Sequence, residues 1–423
     1  MKKLRPFILF GVLGSLILSA CNRNDSPEVK KDIYSNKVVL DWNQAIITAM
    51  GGPQYQHSLL ASRVGAMVHL AMHDAVNAAR PTFTSYAYFG KNEKADPVAA
   101  AAGAAHGVLR SLFVEHAAVL DSLLLASLND VKGEDAKLAG LELGTGAAQS
   151  ILALRADDGA LLDPIAPVEP SEQAGVYQTV PPFVFIFAPH WKTMKLFGLQ
   201  KQDQFRPVAP PALTSEAYTI AFNEVKSVGQ LGSTIRSAEQ TEQAQFWYEF
   251  SEMGWNRVAR IAIASKKIGL IESARIMALV NMALADSYTA GWDAKFYYNL
   301  WRPYTAIRKA AIDGNTETIA DLNWEPVLPT PPVQDYPSTH SVLGNAGATV
   351  LTSLIGNKTP FTMGSPTAPE GVTRSFKNFL EAADENADSR VSAGIHFRFA
   401  SEAGQELGNK IGEYIVKNHL KPL

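Results

Sequence analysis

ESARIMALVNMALADSYTAGWDAKFYYNLW, from Glu272 to Trp301, sets the fold class. Strong helix formers dominate it, and it reads as long helix. Working outward, HSLLASRVGAMVHLAMHDAVNAA (57–79), DPVAAAAGAAHGVLRSLFVEHAAVLDSLLLASL (96–128) and KLAGLELGTGAAQSILAL (137–154) carry apolar residues at the same i, i+3, i+4 spacing. Alternating β-branched runs with tight hairpin turns are scarce, and VPPFVFIF (180–187) is the one short strand-like piece. Between Asp163 and Leu213, nine prolines forbid long helix, while Tyr177, Phe183, Phe185, Phe187, Trp191 and Phe197 give that stretch enough apolar surface to be ordered. The expectation is an all-α protein. It is a multi-helix bundle of about a dozen helices in two packed bundle-like halves, with one long Pro- and aromatic-rich ordered loop over 164–211.

At 423 residues and 47% hydrophobic, the chain can bury a large core, and length alone would suit two or three packed units. A formal net charge of −3 with no basic run argues against a nucleic-acid partner. The start, MKKLRPFILFGVLGSLILSAC, joins Lys2, Lys3 and Arg5 to a short apolar core and small residues before Cys21. That is a secretory leader, too short for the roughly 20 apolar residues of a spanning helix. Leu18-Ser19-Ala20-Cys21 resembles the bacterial lipobox, in which the new N-terminal Cys is lipidated. The expectation is a leader over 1–20, a polar tether over 21–40 and a folded domain over 41–423. The product would be a lipid-anchored protein of the bacterial cell envelope, periplasmic or at the cell surface, touching the membrane through that lipid only. Loss of the leader's three cations takes the charge to −6. Cys21 is the single cysteine, so neither a disulfide nor a thiolate metal site or nucleophile is available to the domain.

The chemistry gathers between 285 and 400. Lys295 and Arg302 stand seven apart, a step that returns to nearly the same helical face, and Pro303 disfavours helix at Arg302. Two cations on one face repel unless an anion sits between them. DYPSTHSVLGNAGATVL (335–351) places Ser338 as N-cap, with the N–H groups of Thr339, His340 and Ser341 at the positive end of a helix. Arg390 and His396 stand six apart, about 120° around an ideal helix, so they share a ligand only across a cleft or if Gly394 loosens the turn.

The order Lys-x6-Arg-Pro, Pro-Ser-x-His, Ser-Arg-x5-His resembles the type 2 phosphatidic acid phosphatase and vanadium haloperoxidase superfamily. The gaps of 33 residues from Pro303 to Pro337 and 48 from His340 to Ser389 resemble that family's spacing too. SRVGAMVHLAMHDAVNAA (62–79), EVKSVGQLGSTIRSAEQTEQAQFW (224–247) and DSYTAGWDAKFYYNLWRP (286–303) look like the bacterial vanadium-dependent branch, so the resemblance covers most of the chain beyond Asp41. It implies that Lys295, Arg302 and Arg390 neutralise the equatorial oxygens of vanadate, a site phosphate can share, while Ser338 and the Thr339 amide add hydrogen bonds. His396 would bond the vanadium and His340 would act as acid–base. Hydrogen peroxide and a halide would be the substrates, with Lys295 polarising the peroxide. The same cage also fits an acid phosphatase acting on small phosphoesters through a phosphohistidine at His396, or a non-catalytic oxyanion-binding lipoprotein.

Two positions depart from the family pattern. Thr339 stands where Gly is usual, and its branched Cβ could crowd the anion. Ala400 stands where the phosphatases place an Asp that orients the catalytic His, and Glu402 lies off that face. Loss of that carboxylate favours a metal ligand over a nucleophile at His396. Trp292 is a candidate wall for a halide site, His69 and His73 have the spacing of a helical metal pair, and Asp74 and Asp286 are candidate partners for cage arginines. The Pro-rich loop is expected to cover the cage.

Overall fold

A computed structural model describes residues 34–51 and 57–423. The leader, Cys21 and most of the expected tether lie outside the described residues. Helix begins at Lys37, inside the stretch expected as tether, because Val38, Val39 and Trp42 are buried against the core.

Among the described residues there are thirteen α-helices: α1 (Lys37–Ala49), α2 (Ser58–Ala79), α3 (Pro97–Leu112), α4 (Ala117–Leu128), α5 (Glu134–Leu154), α6 (Glu216–Val228), α7 (Ala238–Phe246), α8 (Ser251–Ser265), α9 (Leu270–Tyr298), α10 (Pro303–Arg308), α11 (Thr339–Ile355), α12 (Phe379–Ser392) and α13 (Arg398–Asn418). Two small antiparallel pairs complete the fold, β1 (Ile165–Ala166) with β2 (Ile186–Phe187) and β3 (Phe361–Gly364) with β4 (Thr373–Phe376). No helix of the described residues is long and apolar enough to cross a membrane.

The 29 residues of α9 span about 43 Å and form the spine of the bundle. It packs against α2, which in turn packs with α3 and α5, and against α11 and α13, which pack with α12, so α9 joins the two helical groups. Both α2 and α9 are buried around most of their circumference, which explains why their apolar pattern is nearly continuous instead of striped. α13 meets α11 along Gly404, Gly408 and Gly412. A Cβ at Gly408 would lie 2.2 Å from the Val342 carbonyl oxygen, and one at Gly404 would lie 2.6 Å from that of Ser338. The glycine stripe therefore presses α13 directly onto the start of α11.

The 164–211 loop is ordered and clasped at several points. Asp286 of α9 accepts hydrogen bonds from the amides of Phe197, Gly198 and Leu199, each at 2.7 Å. Asp74 of α2 holds the amides of Tyr86, Ala87 and Tyr88 in the same way. Neither carboxylate reaches a cage arginine, contrary to the sequence expectation. Buried amides of irregular backbone need acceptors, and these two supply them.

His69 and His73 are core residues, and no cluster of metal-binding side chains exists among the described residues. Asn43 Nδ2 donates to His69 Nε2 at 2.8 Å, and His73 Nε2 donates to the Thr84 carbonyl at 3.3 Å. Burial pushes His69 down to about 3, helped by the Arg260 charge, and His73 down to about 4. Unfolding restores an ordinary value near 6.5, so these rings stabilise the fold fully above that pH and lose their contribution as pH falls through 4. Asp74 and Asp286, raised by burial to about 6, and Asp335, raised to about 7, act in the opposite sense, but burial also lowers His57, His340 and His396, and the histidines together outweigh the three carboxyls. The melting temperature is therefore expected to fall between pH 7 and about pH 4.5. A scanning-calorimetry profile that is flat or rising toward acid would contradict this balance.

Candidate active site

A second apolar cluster, separate from the main core, moors the site. It contains Leu300, Trp301, Tyr336, Val391, Phe397 and Ala400, packed with Tyr218, Phe222 and Trp324. Each of the segments carrying Arg302, Asp335, Arg390 and His396 thus buries an immediate neighbour in this cluster while the polar residue beside it joins the cage. Side chains of adjacent residues diverge on both helical and extended backbone, so one segment can serve both purposes.

Lys295 lies on the last turns of α9. The helix then stops at Asn299, whose φ of 48° is left-handed, and Arg302 precedes α10 on extended backbone. The two cations do reach one site, but not from one helical face as the seven-residue spacing suggested. Pro303 opens the next helix, where its missing N–H costs nothing. Arg390 sits in the last turn of α12, and Gly394, at φ 80°, turns the chain so that His396 returns to the cage. A Cβ at Gly394 would meet the Gly229 carbonyl oxygen at 2.3 Å, so the turn demands glycine on two counts.

Lys295, Arg302 and Arg390 are buried, none more than 1% exposed, and Asp335 is the carboxylate near Lys295 and Arg302. The Lys295 ammonium donates to the carbonyls of Gln334 at 2.7 Å and Asp335 at 3.0 Å. Arg302 donates through Nε to Val333 at 2.7 Å and through Nη1 to Ile395 at 2.7 Å, and Nη1 also lies 3.0 Å from His396 Nε2. Arg390 donates to the Trp247 carbonyl at 2.9 Å and lies 5.8 Å from the Tyr248 ring centre, but its Nε finds no partner. Burial pushes Lys295 well below the ordinary lysine range, with Arg302 adding to the effect, and pushes Arg390 down to about 9. A buried cation without a counterion is costly, so such a cluster is stabilised by an anion held among its members. An oxyanion carrying several negative charges and several acceptor lone pairs fits this donor set.

α11 begins at the cage, with Ser338 in the N-cap position as expected. Its hydroxyl does not cap the helix but accepts from Ser341 Oγ at 3.0 Å, and the first-turn amides keep no side-chain cap. Thr339 and His340 are partly exposed, which puts the α11 start at the mouth and gives the branched Cβ of Thr339 solvent on one side. His340 Nε2 donates to the Glu249 carbonyl at 2.9 Å, which leaves Nδ1 as its basic nitrogen. Glu249 is itself fixed by a two-pronged pair with Arg257, both contacts at 2.8 Å. Burial, then the Arg390 charge, holds His340 well below the usual histidine range, so the ring is neutral at pH 7.

Asp335 was not read as functional from the sequence, although it heads the quoted PSTH stretch. Its Oδ1 lies 3.0 Å from His396 Nδ1 and 3.8 Å from Arg302 Nη1. Burial, and then the charges of Arg302, Lys295 and Arg390, push His396 well below the usual histidine range. The contact between the two is short but off-axis, and neither Asp335 oxygen completes an aligned hydrogen bond. Burial raises the Asp335 carboxyl to about 7 against the pull of Arg302 and Lys295. A carboxylate therefore does stand behind His396, from the irregular segment that leads into α11 and not from α13. Ala400 instead points into the apolar cluster, and its absent carboxylate no longer distinguishes ligand from nucleophile.

Trp292 is a core aromatic whose Nε1 donates to the Phe187 carbonyl at 3.2 Å, so it ties the long loop to α9. That loop runs along the outer side of the cage segments: Tyr177 N donates to Asn299 O, Trp301 N to Gly175 O and Phe187 N to Pro332 O. Tyr177, buried with an unpartnered hydroxyl, feels the Arg302 charge, a proximity that no spacing in the sequence signals.

An all-helical bundle with three buried cations, two histidines and a helix start converging on one point defines an oxyanion-cage protein. Residues 275–422 match the family model of the VCPO second helical-bundle domain. The vanadium chloroperoxidase of Curvularia inaequalis is 26% identical over 93% of this chain and 83% of its own length. The crystal structure of a bacterial vanadium-dependent iodoperoxidase superposes with a TM-score of 0.77 at 27% identity, over 92% of this chain and 96% of that one. The holo form of a bacterial vanadium-dependent chloroperoxidase gives 0.72 at 16% identity, a likeness of fold, over 92% and 98%. Residues 275–422 thus carry the likeness to that second helical-bundle domain, and the chain as a whole is similar in sequence and fold to vanadium-dependent haloperoxidases.

Proposed function

We propose that this protein is a vanadate-dependent haloperoxidase that uses hydrogen peroxide to oxidise a halide to hypohalous acid. The observation that carries the reading is the surplus of buried positive charge: Lys295, Arg302 and Arg390 gather around His396 with Asp335 as the carboxylate beside two of them. When bound, vanadate supplies a Lewis-acidic centre for transfer of one peroxide oxygen to halide, with water as the other product.

Lys295, Arg302 and Arg390 would hold the oxyanion's charge, the Ser338 hydroxyl and the Thr339 amide would add donors, and His396 would bond the metal. His340 keeps its Nε2 proton on Glu249, so Nδ1 is free to take a proton from peroxide at the mouth and to return it to the leaving oxygen. The packed carbonyls around Lys295 fix its ammonium, which aims the remaining N–H into the cage.

Purified protein loaded with orthovanadate should halogenate a phenolic dye when given peroxide and bromide or iodide. Absence of vanadate-dependent turnover with bromide, iodide and chloride alike would refute the reading. Vanadate-inhibited hydrolysis of an aryl phosphate in its place would assign the cage to phosphoester chemistry.

We further propose that the protein is exported and anchored in the cell envelope by lipid on Cys21, a reading that rests on the leader's charge, apolar length and Leu-Ser-Ala-Cys ending. Mass spectrometry of the mature N-terminus should find acyl chains on Cys21, and an unmodified Cys21 or retained Met1 would refute the anchor.

A further inference from the structure

We propose that Asp335 is a positioning residue that fixes the tautomer and direction of His396, taking over from another part of the chain the task for which position 400 is empty. The inference deepens the proposed vanadate chemistry and rests on it.

Three observations carry it. Asp335 Oδ1 and His396 Nδ1 are 3.0 Å apart, and the two residues are 0% and 3% exposed. Arg302 Nη1 is 3.0 Å from Nε2 and 3.5 Å from Nδ1, so the guanidinium lies against the ring, nearer Nε2. A guanidinium can only donate, whereas a carboxylate accepts, so the two neighbours favour a lone pair on the nearer Nε2 and a proton on Nδ1, facing Asp335, which is also the tautomer that a ring bonding a metal through Nε2 needs. Finally, Ala400, one turn beyond His396, offers no polar atom from its side chain, and its carbonyl is taken by the Ser338 amide at 2.8 Å.

Asp335 is well placed to do this because its own backbone is pinned on both sides. Its amide donates to Leu300 O at 3.0 Å, and its carbonyl accepts from Lys295 at 3.0 Å. The same residue thus links two cage cations to the histidine, and the following Tyr336 is anchored by its hydroxyl to Val208 O at 2.7 Å. The present off-axis approach needs only a modest ring rotation to become a linear Nδ1–H···Oδ1 bond, the kind of tightening expected when Nε2 bonds a metal.

Asp335→Asn tests this with little change of shape. The Asn amide can donate to Nδ1, driving the ring proton onto Nε2 and blocking the metal bond, as carboxylate-to-amide changes behind histidines do. Calorimetric titration of the full chain should show vanadate affinity lowered about 10- to 100-fold, with inorganic phosphate, which needs no bond from the ring, bound as well as or better than before. Loss of both anions in equal measure would assign a purely structural role and overturn the proposal, as would unchanged affinity for both. A second readout does not depend on the variant folding: ¹⁵N NMR of histidine-labelled wild-type protein should report the Nδ1-protonated tautomer for His396. The Nε2-protonated form would overturn the proposal. If the wild-type chain binds phosphate but no vanadate, the haloperoxidase reading fails while the tautomer measurement still decides this one.

Discussion

Arg302→Ala is expected to abolish oxyanion binding and to destabilise the whole fold by about 3–5 kcal/mol, the usual cost of deleting one member of a buried charge pair. Arg302 joins three stretches that meet nowhere else in sequence. It reaches Val333 and Ile395 through hydrogen bonds of 2.7 Å, contacts the His396 ring and neutralises Asp335. Its removal leaves two buried carbonyls without donors, each costing about 1–3 kcal/mol before relaxation, and a buried carboxyl with Lys295 as its remaining counter-charge. These terms share one network and do not add. Arg302→Lys should recover little, because an ammonium cannot span both carbonyls with the geometry of a guanidinium. Urea denaturation and a vanadate titration read the two effects together. A variant as stable as the parent that still binds vanadate would show that Arg302 does not hold the cage together.

His340→Ala should separate proton transfer from binding. The turnover number should drop about 10²- to 10⁴-fold, the range for loss of a general acid–base, while vanadate affinity changes by less than about tenfold. The reason is positional. His340 sits at the mouth with Nε2 committed to Glu249, and its backbone carbonyl is held by Asn386 Nδ2 at 3.0 Å, so the ring is aimed without carrying the site's structure. Loss of vanadate along with activity would make His340 a ligand instead. An unaltered rate would remove it from the reaction.

Much of this was legible in the chain. Helical periodicity gave the class of fold, and the three short motifs gave Lys295, Arg302, Ser338, His340, Arg390 and His396, which the structure brings together. The geometry of Lys295 and Arg302 was misread because a seven-residue spacing looks the same whether the helix continues or breaks, and it breaks at Asn299. Asp74 and Asp286 looked like partners for arginines because a carboxylate on an apolar helix needs compensation. Sequence does not reveal that backbone amides provide it, from the segment just after α2 for Asp74 and from the distant long loop for Asp286. Asp335 escaped for a related reason. Its significance depends on His396, which α11, α12 and a glycine turn separate from it, and no local pattern encodes that approach. One signal was present: an acid immediately before a Tyr-Pro-Ser turn, in a chain lacking the acid expected at position 400.

The central claim is that the buried cations and His396 form a receptor for vanadate. A crystal grown with orthovanadate tests it most directly. One vanadium is expected, bonded to His396, with its oxygens among Lys295, Arg302 and Arg390. Vanadium bound elsewhere, or a cage that stays free of it at saturating concentration, would contradict it.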